Sequence, residues 1–327
     1  MWSIVFCLLM YQEPVVTKTV VLETRGELFP DPRPTRLKHA FDNSWIVANN
    51  HSVWHFNPDG SLRLTFGGEG QGPNEYKYIT TLHWNGEFYW VVDGRGGKLT
   101  KIDENGEYIS RTGAMLQNLE PLLGKTWALV MDEIGSKENM QPLVFQEVDL
   151  VEGYQKSPRR FHRLSKEVVD LGYNFKGHFI VTDGDLLYIL DQLSPDLKAY
   201  DPMTYQLAKT FTLRIPGFSQ SPTKFFNTRA GTQKEFADWW FSFSRFIGMR
   251  KLDSGFAVAF TAPDPESEKT GLVTICKVDN HGKNPRVKTI PESHVLGSLG
   301  DEFLIFTAKD EDEQDDLVYA VDFYAWQ

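Results

Sequence analysis

The sequence predicts an all-β chain: a six-bladed β-propeller of four-stranded blades, with one short helical insertion near residues 232–244. Three observations carry this expectation. A two-residue landmark recurs at the spacing of a propeller blade, a strand-like run precedes each landmark, and the one long interval contains a helical pattern.

The landmark is an apolar or aromatic residue followed by Asp or Asn at the end of a strand-like run. It occurs at Phe56-Asn57, Ile102-Asp103, Val148-Asp149, Tyr200-Asp201, Val278-Asp279 and Val321-Asp322, at intervals of 46, 46, 52, 78 and 43 residues. Turn signals follow in Asn57-Pro58-Asp59-Gly60, Asp103-Glu104-Asn105-Gly106 and Asp279-Asn280-His281-Gly282. There the Asx side chain caps the turn and Gly supplies its positive φ. Before the landmarks lie runs rich in aromatic and β-branched residues: Ser44–Ala48, Glu87–Val92, Thr126–Met131, Leu186–Leu190, Gly255–Phe260 and Glu302–Phe306. Each repeat is long enough for about four short strands. Such a sheet cannot bury both faces alone, so the repeats must stack radially and close into a ring.

The last landmark leaves only five residues before the end of the chain, too few for a full outer strand. The run Val15–Leu22 lies upstream of the first full repeat, and it is expected to complete the last blade, closing the ring by hydrogen bonds. Residues 1–14 are then an apolar N-terminal segment and residues 15–327 a single propeller domain.

Composition describes a globular protein: 41% hydrophobic and 24% charged residues leave ample material for a core. The net charge of −10 repels phosphate backbones and anionic lipid, which argues against nucleic-acid or membrane-surface binding. Cys7 and Cys276 stand in unlike contexts, so no disulfide framework is expected, and Cys276 reads as a small buried hydrophobe. Met1–Tyr11 is apolar, with no Lys or Arg before Lys18, and Ile4-Val5-Phe6-Cys7 resembles a lipoprotein cleavage box except that Phe6 is bulky. Two readings stay open, an export leader and a truncated one. A membrane-spanning helix is excluded there, because spanning takes about 20 apolar residues.

Phe66-Gly67-Gly68-Glu69-Gly70-Gln71-Gly72-Pro73-Asn74-Glu75-Tyr76, with Phe88–Asp93 and Lys98–Gly106 after it, resembles the NHL-type repeat. The similarity is sharp over residues 43–112 and diffuse elsewhere. It implies the six-bladed propellers of exported bacterial proteins, many of them lipoproteins, often used for binding. It brings no catalytic set with it.

Other motifs divide between chemistry and scaffold. Gly67–Gly72 could cradle a phosphate only by opening a helix, and the strand-like Tyr78–Trp84 follows, so it reads as an inter-blade connector. His51 and His55 share a strand face but lie about 13 Å apart at ~3.3 Å per residue, too far to grip one metal. The remaining histidines look scattered; His83 ends an inner-strand candidate, and its two readings are a place at the central channel and a hydrogen-bonded structural role. The run Asp310–Asp316 fails the EF-hand pattern at 315 and 321 and reads as a solvated acidic loop. Asp93 and Asp191 close strands of the same form and are expected to hydrogen-bond the turns after them.

In the long interval, Thr232-Gln233-Lys234-Glu235 is a capping box, and Phe236, Trp239, Trp240 and Phe243 follow at helical spacing. The aromatic face packs on adjacent blades or, with Arg245, forms a binding surface at the channel rim. The candidate ligand- or partner-binding residues are thus His83, Arg95, Trp239, Trp240 and Arg245, with no catalytic or metal-ligating set and no cofactor.

These features favour a non-catalytic propeller that binds a protein, peptide or carbohydrate outside the cytoplasm. It is expected to be a monomer, with membrane contact only through a lipid anchor at the N-terminus. The alternative is a metal-dependent hydrolase, lactonase or lyase with a divalent cation in the channel.

Overall fold

The computed structural model describes residues 14–22, 36–39, 42–114, 116–122, 125–130, 143–150, 155–163, 178–184, 186–221, 231–263, 272–289, 296–299, 302–310 and 317–326. It is a β-propeller of four-stranded antiparallel sheets with one short helix among the described residues.

Strand β1 (Pro14–Val21) opens the chain. The first sheet is β2 (Arg36–His39), β3 (Trp45–Ala48), β4 (Ser52–Phe56) and β5 (Leu62–Gly67), and the second is β6 (Ile79–Trp84), β7 (Phe88–Asp93), β8 (Lys98–Asp103) and β9 (Tyr108–Gly113). The third is β10 (Leu116–Leu122), β11 (Lys125–Val130), β12 (Leu143–Asp149) and β13 (Gln155–Arg163); the fourth is β14 (His178–Asp183), β15 (Leu186–Asp191), β16 (Asp196–Tyr200) and β17 (Leu207–Thr212). Helix α1 (Gln233–Trp240) precedes the fifth sheet, β18 (Arg245–Leu252), β19 (Gly255–Ala262), β20 (Leu272–Asp279) and β21 (Arg286–Thr289). The sixth joins β22 (Leu296–Leu299), β23 (Glu302–Asp310) and β24 (Leu317–Trp326) to β1.

The landmarks end the third strand of five sheets, as their turn chemistry requires. Asp103 Oδ1 accepts from the amides of Asn105 and Glu107 while Gly106, at φ 84°, donates back to the Asp103 carbonyl. Asp279 repeats the pattern with His281, Lys283 and Gly282. At Asp201 no Gly is present, and Tyr205 takes the left-handed position at φ 64°, its hydroxyl donating to Glu147 of the neighbouring sheet. The sixth landmark differs: Asp322 lies inside β24, which runs on to Trp326. The expected strand 15–22 is β1, outermost in that sheet and paired Val20 to Val321 and Val15 to Ala325. The first and last described strands thus share one sheet.

Burial shows why the sheets must stack. Along β7 five consecutive residues are buried, and along β15 likewise, because both faces of the second strand are covered by neighbouring sheets. The outermost strands β9 and β17 are mostly exposed. Apolar clusters fill the spaces between sheets: Ile46, Val53, Tyr76, Leu82 and Tyr89 join the first two, and Leu190, Phe246, Met249, Phe256 and Cys276 join the fourth and fifth. Burial pushes the Cys276 thiol up to about 12, as fits a small hydrophobe rather than a nucleophile. The innermost strands touch in cyclic order: β6 on β10, β10 on β14, β14 on β18, β18 on β22, and β22 on β2. The first and second sheets are tied by Ile79 N–H donating to the Asn50 carbonyl at 2.7 Å.

Gly67–Gly72 is a connector, as its sequence context predicts. The Glu75 carboxylate accepts from the amides of Gln71 and Gly72, and Lys98 Nζ donates to the Glu75 carbonyl. Tyr76 is driven fully into the core between the first two sheets. Residues 1–13 with Cys7, the acidic run beyond Asp310, and His294 lie outside the described residues.

Candidate functional site on the connector face

Each outermost strand ends at the same edge of the ring where the next innermost strand begins. In the second sheet this edge is marked by the register Ile79–Asp93–Lys98–Gly113. A buried polar node sits there, centred on Asp93. Its Oδ1 accepts from the amides of Tyr78 and Gly96, its Oδ2 accepts from Lys77 N–H at 2.8 Å, and Lys98 Nζ lies 3.9 Å away. In the first sheet Asn49 occupies the corresponding strand end and accepts from the amides of His51 and Ser52. The expectation that Asp93 caps the turn after it therefore holds.

At Asp191 the surroundings are different. Asp191 ends β15 opposite His178 and is met by side chains: His162 Nε2 donates to Oδ1 at 2.7 Å, Lys198 Nζ donates to Oδ2 at 3.5 Å, and His178 Nδ1 lies 3.2 Å from Oδ1. His162 comes from β13 of the preceding sheet, in the left-handed conformation at φ 61°, and its Nδ1 pairs with the Tyr200 hydroxyl at 3.0 Å. Burial alone would raise the Asp191 pKa, but His162, His178 and Lys198 hold it well below the usual carboxylate range. The set spans two sheets and was hidden in a sequence where the histidines look scattered. Two imidazoles and a carboxylate, with ligand atoms within 4.8 Å of one another, are a donor set that suits zinc or a similar divalent ion. The Lys198 ammonium beside the carboxylate opposes a second cation there.

A further buried histidine, His55, completes a one-way hydrogen-bond chain. Ser44 Oγ donates to Asp42, so it accepts from His55 Nε2–H at 2.6 Å, and His55 Nδ1 accepts from the Tyr89 hydroxyl. Burial, with the nearby charge of Arg63, lowers the His55 pKa to about 4. His51 leaves this group and pairs with the Tyr76 carbonyl, so the two histidines serve different contacts.

The five sequence-predicted residues do not converge on one site. His83 lies in β6 opposite Trp90, toward the far edge of its sheet. Arg95 is exposed in the turn after Asp93, with its guanidinium carbon 5.0 Å from the centre of the Tyr78 ring. Trp239, Trp240 and Arg245 do assemble. Helix α1 begins at the Thr232–Glu235 capping box, which contributes about 1 kcal/mol, and ends at Phe241. It is shorter than the 232–244 expected: Phe243 falls beyond it and is buried as an anchor against Trp239, their ring centres 5.2 Å apart. Phe236, Trp239 and Trp240 stay half-buried, in mutual contact.

Arg245 starts β18 on the connector face and is only 5% exposed. Its guanidinium lies 4.2 Å from the Trp240 ring centre and donates to the Trp240 carbonyl, with Phe243 at 5.5 Å. Burial brings its pKa down to about 10. The strand is tied to the Asp191 turn by Phe246 N–H donating to the Gln192 carbonyl at 2.9 Å.

The chain matches no protein-family model and no curated protein sequence. Among solved structures it is similar to a member of the DUF4221 family from Bacteroides vulgatus, at 9% identity and TM-score 0.67, over 96% of this chain and 98% of that one. A Bacteroides fragilis protein classed as exported aligns at 10% identity and TM-score 0.65, over 97% and 96%. U3-55K aligns at 8% identity and TM-score 0.54, over 95% and 100%. Likeness at these identities concerns the fold.

Proposed function

We propose that this chain is a six-bladed, exported, non-catalytic binding propeller whose ligand or partner sits on the connector face, against helix α1. The single observation behind this reading is the insertion between β17 and β18. It brings a half-buried aromatic cluster and a buried guanidinium together at the edge of an innermost strand. Aromatic rings and Arg are the side chains that most often dominate binding energy. Support for the blade count comes from the six sheets and the cyclic contacts of their innermost strands. Support for export comes from the Bacteroides fragilis neighbour, and among the described residues no helix is long and apolar enough to cross a membrane. The NHL-type connector, and lipidation at Cys7, belong to the same proposal.

The test is a Trp239→Ala/Trp240→Ala variant, screened by intrinsic fluorescence beside the wild type against mono- and oligosaccharides and short peptides. Loss of a wild-type ligand, with a melting temperature within a few degrees, supports a contact surface. Undiminished ligand binding, or a collapse in stability, makes the aromatic cluster part of the scaffold instead. A second reading, a metal-dependent hydrolase or lyase, draws on the His162–His178–Asp191 donor set. Elemental analysis of purified protein decides it, since a stoichiometric divalent metal favours the enzyme.

A further inference from the structure

The starts of three innermost strands can be compared across their first strand pair. Ile79 stands opposite Asp93 and His178 opposite Asp191, whereas Arg245 stands opposite Thr261. The fifth sheet therefore presents a cation where the fourth presents imidazole, but a hydroxyl where both of the others present a carboxylate. Among the described residues no carboxylate pairs with Arg245, and the one hydrogen bond its guanidinium makes is to the Trp240 carbonyl. A guanidinium has five N–H donors, and burying one without a counter-charge is costly. The aromatic rings around it compensate in part through their π faces.

Charge points the same way. In a chain of net charge −10, residues 213–245 carry Arg214, Lys224, Arg229, Lys234 and Arg245 against only Glu235 and Asp238. Glu235 is already committed to the capping box, accepting from Thr232 N–H at 2.7 Å. The insertion is thus locally basic in sequence, and Arg245 is buried within it.

We infer that Arg245 is the anchor of a binding site for a small ring-bearing carboxylate, whose acid group takes the place that Asp93 and Asp191 fill in their sheets. A carboxylate matches the planar guanidinium fork through two parallel hydrogen bonds, and the ring attached to it lies against the Phe236–Trp239–Trp240 cluster. The inference rests on the proposed binding role of this insertion and names the ligand chemistry for it.

The experiment is calorimetric and fluorescence titration of the full chain at low salt with two matched pairs, benzoate against benzamide and galacturonate against galactose. In the wild type at least one acid is expected to bind about tenfold or more tightly than its neutral counterpart. That preference shrinks as NaCl is raised. Arg245→Gln should abolish the preference, while Arg245→Lys should keep part of it through charge without the fork. A near-ultraviolet circular dichroism spectrum like that of the wild type shows that each variant is folded. Preference for galacturonate assigns the site to an acidic sugar, and preference for benzoate to an aromatic acid.

Equal binding of acid and neutral probes, or no binding of any of the four, overturns the inference, and the wild type alone can show either. If neutral probes bind and the Trp239→Ala/Trp240→Ala variant loses them, the binding role stands and only the carboxylate assignment falls. If ligands from the wider screen are unaffected by either set of variants, both fall.

Discussion

Asp93 and Asp191 occupy the same place in two sheets, and they stabilise it by different means. Around Asp93 three backbone amides converge, all from the connector and the turn that the sheet itself supplies. Around Asp191 the groups are the side chains of His162, His178 and Lys198, and His162 is contributed by the preceding sheet. The first node is local and fixed by turn geometry. The second is a cross-sheet latch of ionisable groups, so it couples the third and fourth sheets and depends on their packing.

Breaking the latch should have the largest effect. Asp191→Ala leaves a buried imidazole pair and an ammonium facing an empty site, and removing one partner of such a buried set typically costs about 3–5 kcal/mol. Urea denaturation should register a fall of that size, with His162→Ala, which leaves the carboxylate paired to His178 and Lys198, losing less. If Asp191→Ala costs no more than a surface substitution, the latch contributes little and the node is incidental to stability.

The His55 chain sharpens the contrast, because there a serine hydroxyl stands between imidazole and carboxylate. His55 is buried neutral, with its pKa lowered from 6.5 to about 4. Between those values the unfolded chain binds the proton and the folded chain does not. Stability from this group is therefore complete above pH 6.5 and is lost as the pH falls toward 4, by about 3 kcal/mol in all. The gap in unfolding free energy between wild type and His55→Gln should narrow by that amount from pH 7.5 to pH 4. Parallel loss in the two proteins would show that another group titrates.

What the sequence discloses follows from how local each interaction is. The turns at Asp103 and Asp279 are legible because carboxylate, amides and the left-handed Gly lie within five residues. The closing strand is legible because a β-branched run without a neighbour must find an edge. The turn at Asp201 is half legible, since Tyr205 does there what Gly does elsewhere. The latch is not legible at all: His162 and Asp191 are 29 residues apart, and their meeting is set by how one sheet leans on the next. The Arg245 cage lies between these extremes. Its residues are neighbours in sequence, but the missing counter-charge appears only when Arg245 is seen opposite Thr261.

The smallest effect belongs to Asp93, and it is the one that decides whether the two nodes differ in kind. Asp93→Asn keeps the side-chain shape and one carbonyl oxygen, so two of the three amide contacts can survive in the better rotamer. The new NH2 then faces either Lys77 N–H or the pair from Tyr78 and Gly96, and it also stands beside Lys98 without a charge to offer. Losing one hydrogen bond to a buried group predicts about 1–2 kcal/mol, well short of Asp191→Ala. A deficit as large as that of Asp191→Ala would mean that Lys98, not the amides, is the principal partner of Asp93, and the two nodes would then be variants of one ionic device.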